Sequence, residues 1–499
     1  MQRHDHSHFL IDLLAIKLLA VEDQVARVRC SDFPSDAPRK LCDLIAQSAK
    51  QLRLQLPRIK TEEDDAAKRS QARMCLMFAK EMLASVRFAQ RARTENTPWS
   101  IVPAFEAYVR GLVHEPHFLV LRPKWTHTYE IIAGFTGRCR GVLRAFLDDE
   151  EVESVLKDAL LNDGHSPEPL PEICVISFPR LERMNPLSHC LFGHEIGHVL
   201  CAPWLARSAG IKERIRADLA LKVGAEYHDA PESERVEQFD LAVAVCEQGV
   251  SELAADLTCA LLFGPATLFA IYEYCALMEL DELPTAENSY YPPWRYRLRV
   301  IQAFLNQGAS SECESELQAR FPEAHVAMHE WLQVIADLVA DECDRQRLLN
   351  PPTDSSNTLR TIAMVYSYVE DHMGAIESLV RENVPAAYCY AGRASAVCTV
   401  VDRLDRLIPP NEMRKGDNHA PLSIESILNG AWIFKLWRLN SQTAALRFAQ
   451  ERGLAVRLSN DAAQAGAEAH RVGLAVLNRL VVKAIEASFE HHCYLEAHR

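Results

Sequence analysis

The pattern of apolar and polar positions predicts a mostly helical chain. Between Leu41 and Ala92 the apolar residues recur every three to four positions, and glycine and proline are almost absent. This spacing is typical of amphipathic helices. We therefore predict a helical region over residues 1–115, a second helical stretch over 138–162, and helices again from residue 300 onward.

Two short segments have the character of strands. Residues 118–122 read FLVLR and precede a proline, and residues 173–178 read ICVISF, which is rich in β-branched side chains. The second segment is the clearest strand pattern in the chain. It predicts a small sheet that contains residues 173–178.

Two further helices follow this strand. The first is predicted over 185–202, where Asn185 can cap the helix and Pro186 suits its first position. A polar and acidic stretch over 210–236 is interpreted as an excursion over the surface. The second helix is predicted over 237–263.

Composition narrows the class of protein. The chain has 499 residues, and its 54 Lys and Arg against 68 Asp and Glu give a net charge of −14. This balance disfavours a generic phosphate-binding surface, so we expect no nucleic-acid partner. Fifteen cysteines occur without any CxxC pair. We interpret them as reduced thiols, mostly in the core, of a cytoplasmic protein.

Neither the N-terminus nor the interior has the pattern of a membrane segment. The N-terminal apolar stretch is interrupted by Asp12 and Lys17, which favours an amphipathic helix over a signal peptide. The longest uncharged run, residues 257–272, has 16 residues and contains Gly264-Pro265. Because a spanning helix needs about 20 apolar residues, we predict no membrane span.

One motif carries metal chemistry. Residues 194–198 read HEIGH, an HExxH motif, inside the predicted helix 185–202. Residues four apart lie on one helical face, so His194 and His198 can both bind one zinc ion. Glu195 lies beside the first ligand and can take a proton from zinc-activated water.

A catalytic zinc needs a third protein ligand and an open position. Cys190 and Cys201 lie on the same helix as the motif and are weak candidates. Glu252 is the stronger candidate, because it shares one face of the 237–263 helix with Asp256 amid an apolar stretch. Asp256 can accept the remaining N–H of His194 and fix its tautomer.

At this point the sequence resembles a known group. The HEIGH motif followed by ELAAD is similar to the gluzincin zinc peptidases, whose third ligand is the glutamate of an ExxxD helix. Residues 289–298, SYYPPWRYRL, resemble the S-x-H-P-P-x-x-x-R-[IL] segment of CAAX-prenyl-protease-like and related soluble peptidases. The resemblance implies that Tyr291 and Arg297 bind substrate and stabilise the oxyanion. Tyr291 replaces the family's histidine, and Tyr290 is the alternative donor.

The resemblance implies a mainly α fold with a zincin-like α+β core, a small sheet and helical flanks. We expect an N-terminal helical domain (1–115), a metallopeptidase core (116–305) and a C-terminal helical domain (306–499). The expected activity is zinc-dependent hydrolysis of a peptide or protein substrate, with Glu195 as general base. The alternative is a regulatory or scaffold protein with a structural zinc. A zinc deaminase is a weaker hypothesis, because the H-x-E…P-C-x-x-C pattern is absent.

Overall fold

A computed structural model describes residues 6–95, 97, 101–113, 117–126, 128–161, 170–207, 209–276, 278, 280, 282–288, 290–307, 310–340, 348–349, 355–390, 392–415, 418–456 and 462–498. The helices of this part of the chain are α1 (His6–Arg29), α2 (Ala37–Thr61), α3 (Asp65–Arg91), α4 (Val102–Leu112), α5 (Phe135–Leu143), α6 (Asp149–Leu160), α7 (Phe192–Arg207), α8 (Ala209–Glu226), α9 (Glu232–Phe263), α10 (Pro265–Cys275), α11 (Trp294–Gln307), α12 (Ser310–Arg320), α13 (Pro322–Val339), α14 (Asn357–Asp371), α15 (Met373–Asn383), α16 (Ala394–Asp405), α17 (Ile424–Arg438), α18 (Gln442–Glu451) and α19 (Ala462–Ala497).

The strands are β1 (His117–Lys124), β2 (Glu130–Ile132), β3 (Glu172–Pro179), β4 (Glu412–Lys415) and β5 (Asn418–Pro421). Short 3₁₀ segments cover Arg180–Met184, Pro186–Leu191 and Ala386–Tyr388. The predicted mainly α class is therefore confirmed. Within the described residues, no helix is both long enough and apolar enough to cross a bilayer.

The chain divides into two compact units, residues 1–184 and residues 185–499. The division differs from the three parts expected from the sequence, because both expected boundaries fall inside a unit. In the first unit, β1 pairs along its whole length with β3 and packs on α2 and α3. In the second unit, α11 packs on α9 and α13 and so continues across residue 305.

The first unit contains the predicted small sheet, in the order β1-β3-β2. The β1 and β3 strands are parallel, with Phe118 opposite Ile173, and β2 runs antiparallel to β3. The central strand β3 is buried along almost its whole length, which explains its continuous apolar sequence. Pro123 lies inside β1 rather than after it, and it is tolerated there because β1 is an edge strand.

The second unit contains the two helices predicted to carry chemistry, and α7 packs directly on α9. The bounds of both helices differ from the prediction. The segment 186–191 is 3₁₀, and Asn185 makes no capping hydrogen bond through its side chain, so the regular helix begins only at Phe192. The polar stretch over 210–236 is helical, and most of its described side chains, from residue 213 onward, are exposed. Most of it forms α8 and the first turn of α9.

Every cysteine in the described part of the chain is a free thiol, and most are buried. Cys30 and Cys493 are the exposed ones. Burial raises the pKa of thiols such as Cys42 and Cys75 to about 12, which keeps them protonated and unreactive. The expectation that most cysteines lie in the core is confirmed for these residues.

Candidate metal centre

The site is built where α7 crosses α9 at short range. Gly197 makes this possible, because a Cβ atom at that position would lie 2.7 Å from the Cα of Ala255. A Cβ at Gly193 would lie 2.7 Å from the ring of Phe263. Real side-chain atoms do not approach that closely, so both positions require glycine. The two helices therefore approach to backbone contact beside Ala255.

Three donor groups converge at this crossing. His194 Nε2 lies 3.2 Å from His198 Nε2 and 3.3 Å from Glu252 Oε2, and His198 Nε2 lies 3.5 Å from Glu252 Oε1. A tetrahedral zinc with bonds of 2.0–2.1 Å separates its ligand atoms by about 3.3 Å. The separations of His194 Nε2 from His198 Nε2 and from Glu252 Oε2 match this value, whereas His198 lies nearest to the other oxygen of Glu252. With one ligand atom from each residue, all three atoms lie within 4.8 Å of one another, and the group could bind a metal ion.

The carboxylate of Glu252 gives a second test of fit. The residue is 1% exposed, and its Oε2 atom has no hydrogen-bond partner. His194 Nε2 and Arg297 Nη2 lie 3.3 and 3.5 Å from this oxygen and partly compensate its charge. A metal ion bound by the two imidazoles would also contact it directly. Among the described residues, no other group of three or more His, Cys, Asp and Glu side chains converges in this way.

Asp256 lies against His194, and its predicted role in fixing the tautomer of this histidine stays a prediction. His194 Nδ1 lies 2.9 Å from Asp256 Oδ1, so the ring directs its Nε2 atom to the other donors. Burial lowers the pKa of His194, but the carboxylates of Asp256 and Glu252 outweigh this effect and raise the pKa to about 10. Burial raises the pKa of Asp256, but Arg297 and His194 outweigh it and hold this pKa below its ordinary value.

Arg297 is buried on the far side of Asp256. Its Nε and Nη2 atoms donate to the two carboxylate oxygens of Asp256 at 2.7 and 2.8 Å, and the guanidinium lies 4.1 Å from the ring centroid of Trp294. Its Nη2 atom is also 3.5 Å from Glu252 Oε2. The predicted contact of Arg297 with an oxyanion stays a prediction. The geometry favours a role in positioning Asp256.

Two residues that the sequence analysis missed contact the donors. Gln248 Nε2 donates to Glu252 Oε1 at 2.9 Å, and Ser251 Oγ lies 3.2 Å from His198 Nδ1. Both residues are on α9, one turn and one residue before Glu252. Burial is the largest of the causes that lower the pKa of His198 to about 4, so its ring is neutral and retains a lone pair for a metal.

Glu195 follows the first histidine and is 4% exposed. The donor side of the site is less enclosed, because the side chains of His194 and His198 are 12% and 20% exposed. The donor atoms therefore lie on a partly open face, and the buried Glu195 is the next residue in sequence after one of the histidines.

The tyrosines expected to contact substrate lie before α11. Tyr291 is 42% exposed, yet burial and the carboxylate of Glu252 raise the pKa of its phenol to about 12. The hydroxyl therefore keeps its proton and remains a donor. Tyr290 has a positive φ of 59°, an uncommon backbone conformation for a residue other than glycine. Such strain is concentrated at functional sites.

Cys190 and Cys201, the weaker candidates for the third ligand, do not belong to the cluster. Cys201 Sγ lies 3.6 Å from Thr258 Oγ1, and the backbone oxygen of Cys190 accepts from Cys259 Sγ at 3.2 Å. His189 is fully buried and stacks on Phe192 at 4.7 Å between ring centroids. The donor set therefore contains two histidines and one glutamate, without a thiolate.

Comparisons with protein-family models, with curated protein sequences and with solved structures find no match to this chain. Evidence for function therefore comes from the geometry of the site and from the motif resemblance.

Proposed function

We propose that this protein is a zinc-dependent hydrolase of peptide bonds with a zincin-like, gluzincin-type site. The observation that carries the proposal is the triangle of His194, His198 and Glu252, which brings one ligand atom from each residue within 4.8 Å of the others. A ligand set of two imidazoles and one carboxylate matches the donor set of catalytic zinc sites that keep an open position.

Zinc held by these three residues would polarise the scissile carbonyl and lower the pKa of a water to about 7. Glu195 accepts a proton from this water as the water oxygen attacks the carbonyl carbon. When the carbon–nitrogen bond breaks, Glu195 returns that proton to the leaving nitrogen. The first products are a carboxylic acid and an amine. The acid then passes its proton to the amine, so the step ends with a carboxylate and an ammonium group and all atoms are accounted for.

Tyr291 donates a hydrogen bond from its phenol to the carbonyl oxygen, on which negative charge develops. The raised pKa supports this role, because the phenol keeps its proton at neutral pH. Asp256 and Arg297 act behind His194. The two hydrogen bonds from Arg297 fix the carboxylate of Asp256, and this carboxylate fixes the histidine ring.

The test combines metal content with cleavage of a mixed peptide library by the full chain. We expect about one zinc per chain in the wild type and in Cys201→Ser, and loss of zinc in His194→Ala and Glu252→Ala. Glu195→Gln should retain zinc and lose cleavage, because only the proton acceptor is removed. Zinc in the wild type without cleavage of any peptide would contradict the hydrolase and favour a scaffold with a structural zinc.

A further inference from the structure

Two polar side chains of α9 contact the donor groups without belonging to the donor set. Gln248 lies four residues before Glu252 and donates to its Oε1 atom at 2.9 Å. Ser251 directly precedes Glu252, and its hydroxyl lies 3.2 Å from His198 Nδ1. The contact of Gln248 is with the oxygen that lies 3.5 Å from His198 Nε2, and the contact of Ser251 is with the second ring nitrogen of His198.

We propose that Gln248 and Ser251 are positioning residues that restrict Glu252 to one oxygen donor and His198 to its Nε2 atom. The inference rests on the proposed metal site, but not on the peptidase activity. Its physical basis is that the outer contacts of a ligand select which of its atoms faces the metal.

Gln248 determines which of the two oxygens of the Glu252 carboxylate is left for the metal. A carboxylate can bind a metal through one oxygen or through both. Oε1 of Glu252 accepts the amide hydrogen of Gln248, whereas Oε2 is buried without a hydrogen bond and lies 3.3 Å from His194 Nε2. Oε1 also lies 3.5 Å from His198 Nε2, so the hydrogen bond from Gln248, and not its distance from the histidines, distinguishes it from Oε2. Gln248 thus occupies one oxygen and leaves the other for the metal. The site then keeps three protein donor atoms and an open fourth position.

Ser251 determines the tautomer of the His198 imidazole. A neutral histidine carries its hydrogen on one ring nitrogen and a lone pair on the other. The hydroxyl of Ser251 can accept a hydrogen from His198 Nδ1, and this leaves the lone pair on Nε2, the atom that lies 3.2 Å from His194 Nε2. Asp256 plays the same part for His194, so each histidine has its own orienting group.

The test measures Co²⁺ binding to the full chain by competition with a chelator, together with the visible d–d spectrum of the bound ion. Gln248→Met keeps the length of the side chain and removes the donor. Ser251→Ala removes the hydroxyl, and Ser251→Thr restores it. Gln238→Met is the matched control, because Gln238 lies on the same helix but contacts Thr361.

We expect Gln248→Met to weaken Co²⁺ binding about tenfold or more and to change the spectrum from four-coordinate towards five-coordinate, as the freed oxygen also binds. Ser251→Ala should weaken binding by a similar factor, and Ser251→Thr should restore it. Gln238→Met should lower thermal stability without changing affinity or spectrum.

Wild-type affinity and spectrum in both Gln248→Met and Ser251→Ala would overturn the inference while leaving the metal site intact. Co²⁺ binding that depends on Gln248 and Ser251 in a protein that cleaves no peptide would support the inference and contradict only the peptidase. Absence of Co²⁺ binding by the wild type would overturn both.

Discussion

Arg297 donates two parallel hydrogen bonds to Asp256, and both residues are almost completely buried. This bidentate pairing links α11 to the helix that supplies the third donor. Breaking a buried pair leaves one charge without compensation, and it typically costs about 3–5 kcal/mol. We therefore expect Arg297→Met to lower the free energy of unfolding by about this amount, as measured by urea titration.

A double-mutant cycle tests the cause of that loss. Asp256→Asn removes the charge that Arg297 compensates, so the double variant should lose less than the sum of the two single losses. Arg320→Met is the surface control, because Arg320 pairs with Glu316 at an exposed site where an ion pair contributes about 0–1 kcal/mol. Strictly additive losses at Arg297 and Asp256 would contradict the coupling.

The absence of a side chain at Gly197 is the second feature open to test. A methyl group there would lie 2.7 Å from the backbone of Ala255, and backbone atoms cannot move aside cheaply. Gly197→Ala should therefore separate α7 from α9 and weaken zinc binding by more than tenfold. Zinc affinity measured by chelator competition gives the result.

Gly224 provides the matched control for this substitution. It lies in α8, and a Cβ there would meet nothing within 4 Å. Gly224→Ala should therefore leave zinc binding unchanged and stabilise the chain by about 0.5–1 kcal/mol, since alanine favours the helix. Equal zinc affinity in Gly197→Ala and wild type would show that the close crossing is not required.

The donor set could be predicted from the sequence because its spacing is local. Residues four apart on a helix share a face, so the positions of His194 and His198, and of Glu252 and Asp256, follow from two helices alone. The apolar sequence around Glu252 also predicted that its carboxylate would be buried. Together these signals gave the triangle that the structure brings together.

Contacts between distant elements could not be predicted in the same way. The partner of Arg297 is 41 residues away in sequence and depends on how α11 packs on α9. Gln248 was visible one turn before Glu252, but glutamine at that spacing is common on solvated helices. Only the burial of Glu252 in the structure distinguishes a glutamine that contacts a buried donor group from one on a solvated helix face. The start of α7 was also mispredicted, because the proline and asparagine signals precede a 3₁₀ segment.

The two adjacent tyrosines lead to a third prediction. If Tyr291 donates to the developing oxyanion, Tyr291→Phe should lower kcat about 10²–10³-fold and retain the zinc, since one such donor contributes that much. Tyr290→Phe, which removes the neighbouring hydroxyl, should keep kcat near the wild-type value. Steady-state kinetics on a cleaved peptide, with zinc content measured in parallel, decides between them. The reverse order of effects would assign the donor role to Tyr290.

Glu425 supplies a prediction far from the metal donors in sequence and on a different helix. It lies in the first turn of α17 and is 1% exposed, and burial raises the pKa of its carboxyl from 4.5 to about 7. The Nη2 atom of Arg393 lies 3.6 Å from Glu425 Oε1 and lowers this pKa, but it does not offset the effect of burial. Between pH 4.5 and about pH 7 the carboxyl of Glu425 is protonated in the folded state and ionised in the unfolded state.

The stability that Glu425 contributes is therefore full below about pH 4.5 and is lost as the pH rises through about 7. A shift of this size corresponds to about 3 kcal/mol. Glu425→Gln, which stays neutral, should match the wild type at pH 5 or below and exceed its free energy of unfolding at pH 8 by up to about 3 kcal/mol. Urea titrations at both pH values measure the difference. The exposed Glu382→Gln should show no such pH-dependent gain, and an equal gain there would indicate a general charge effect rather than the burial of Glu425.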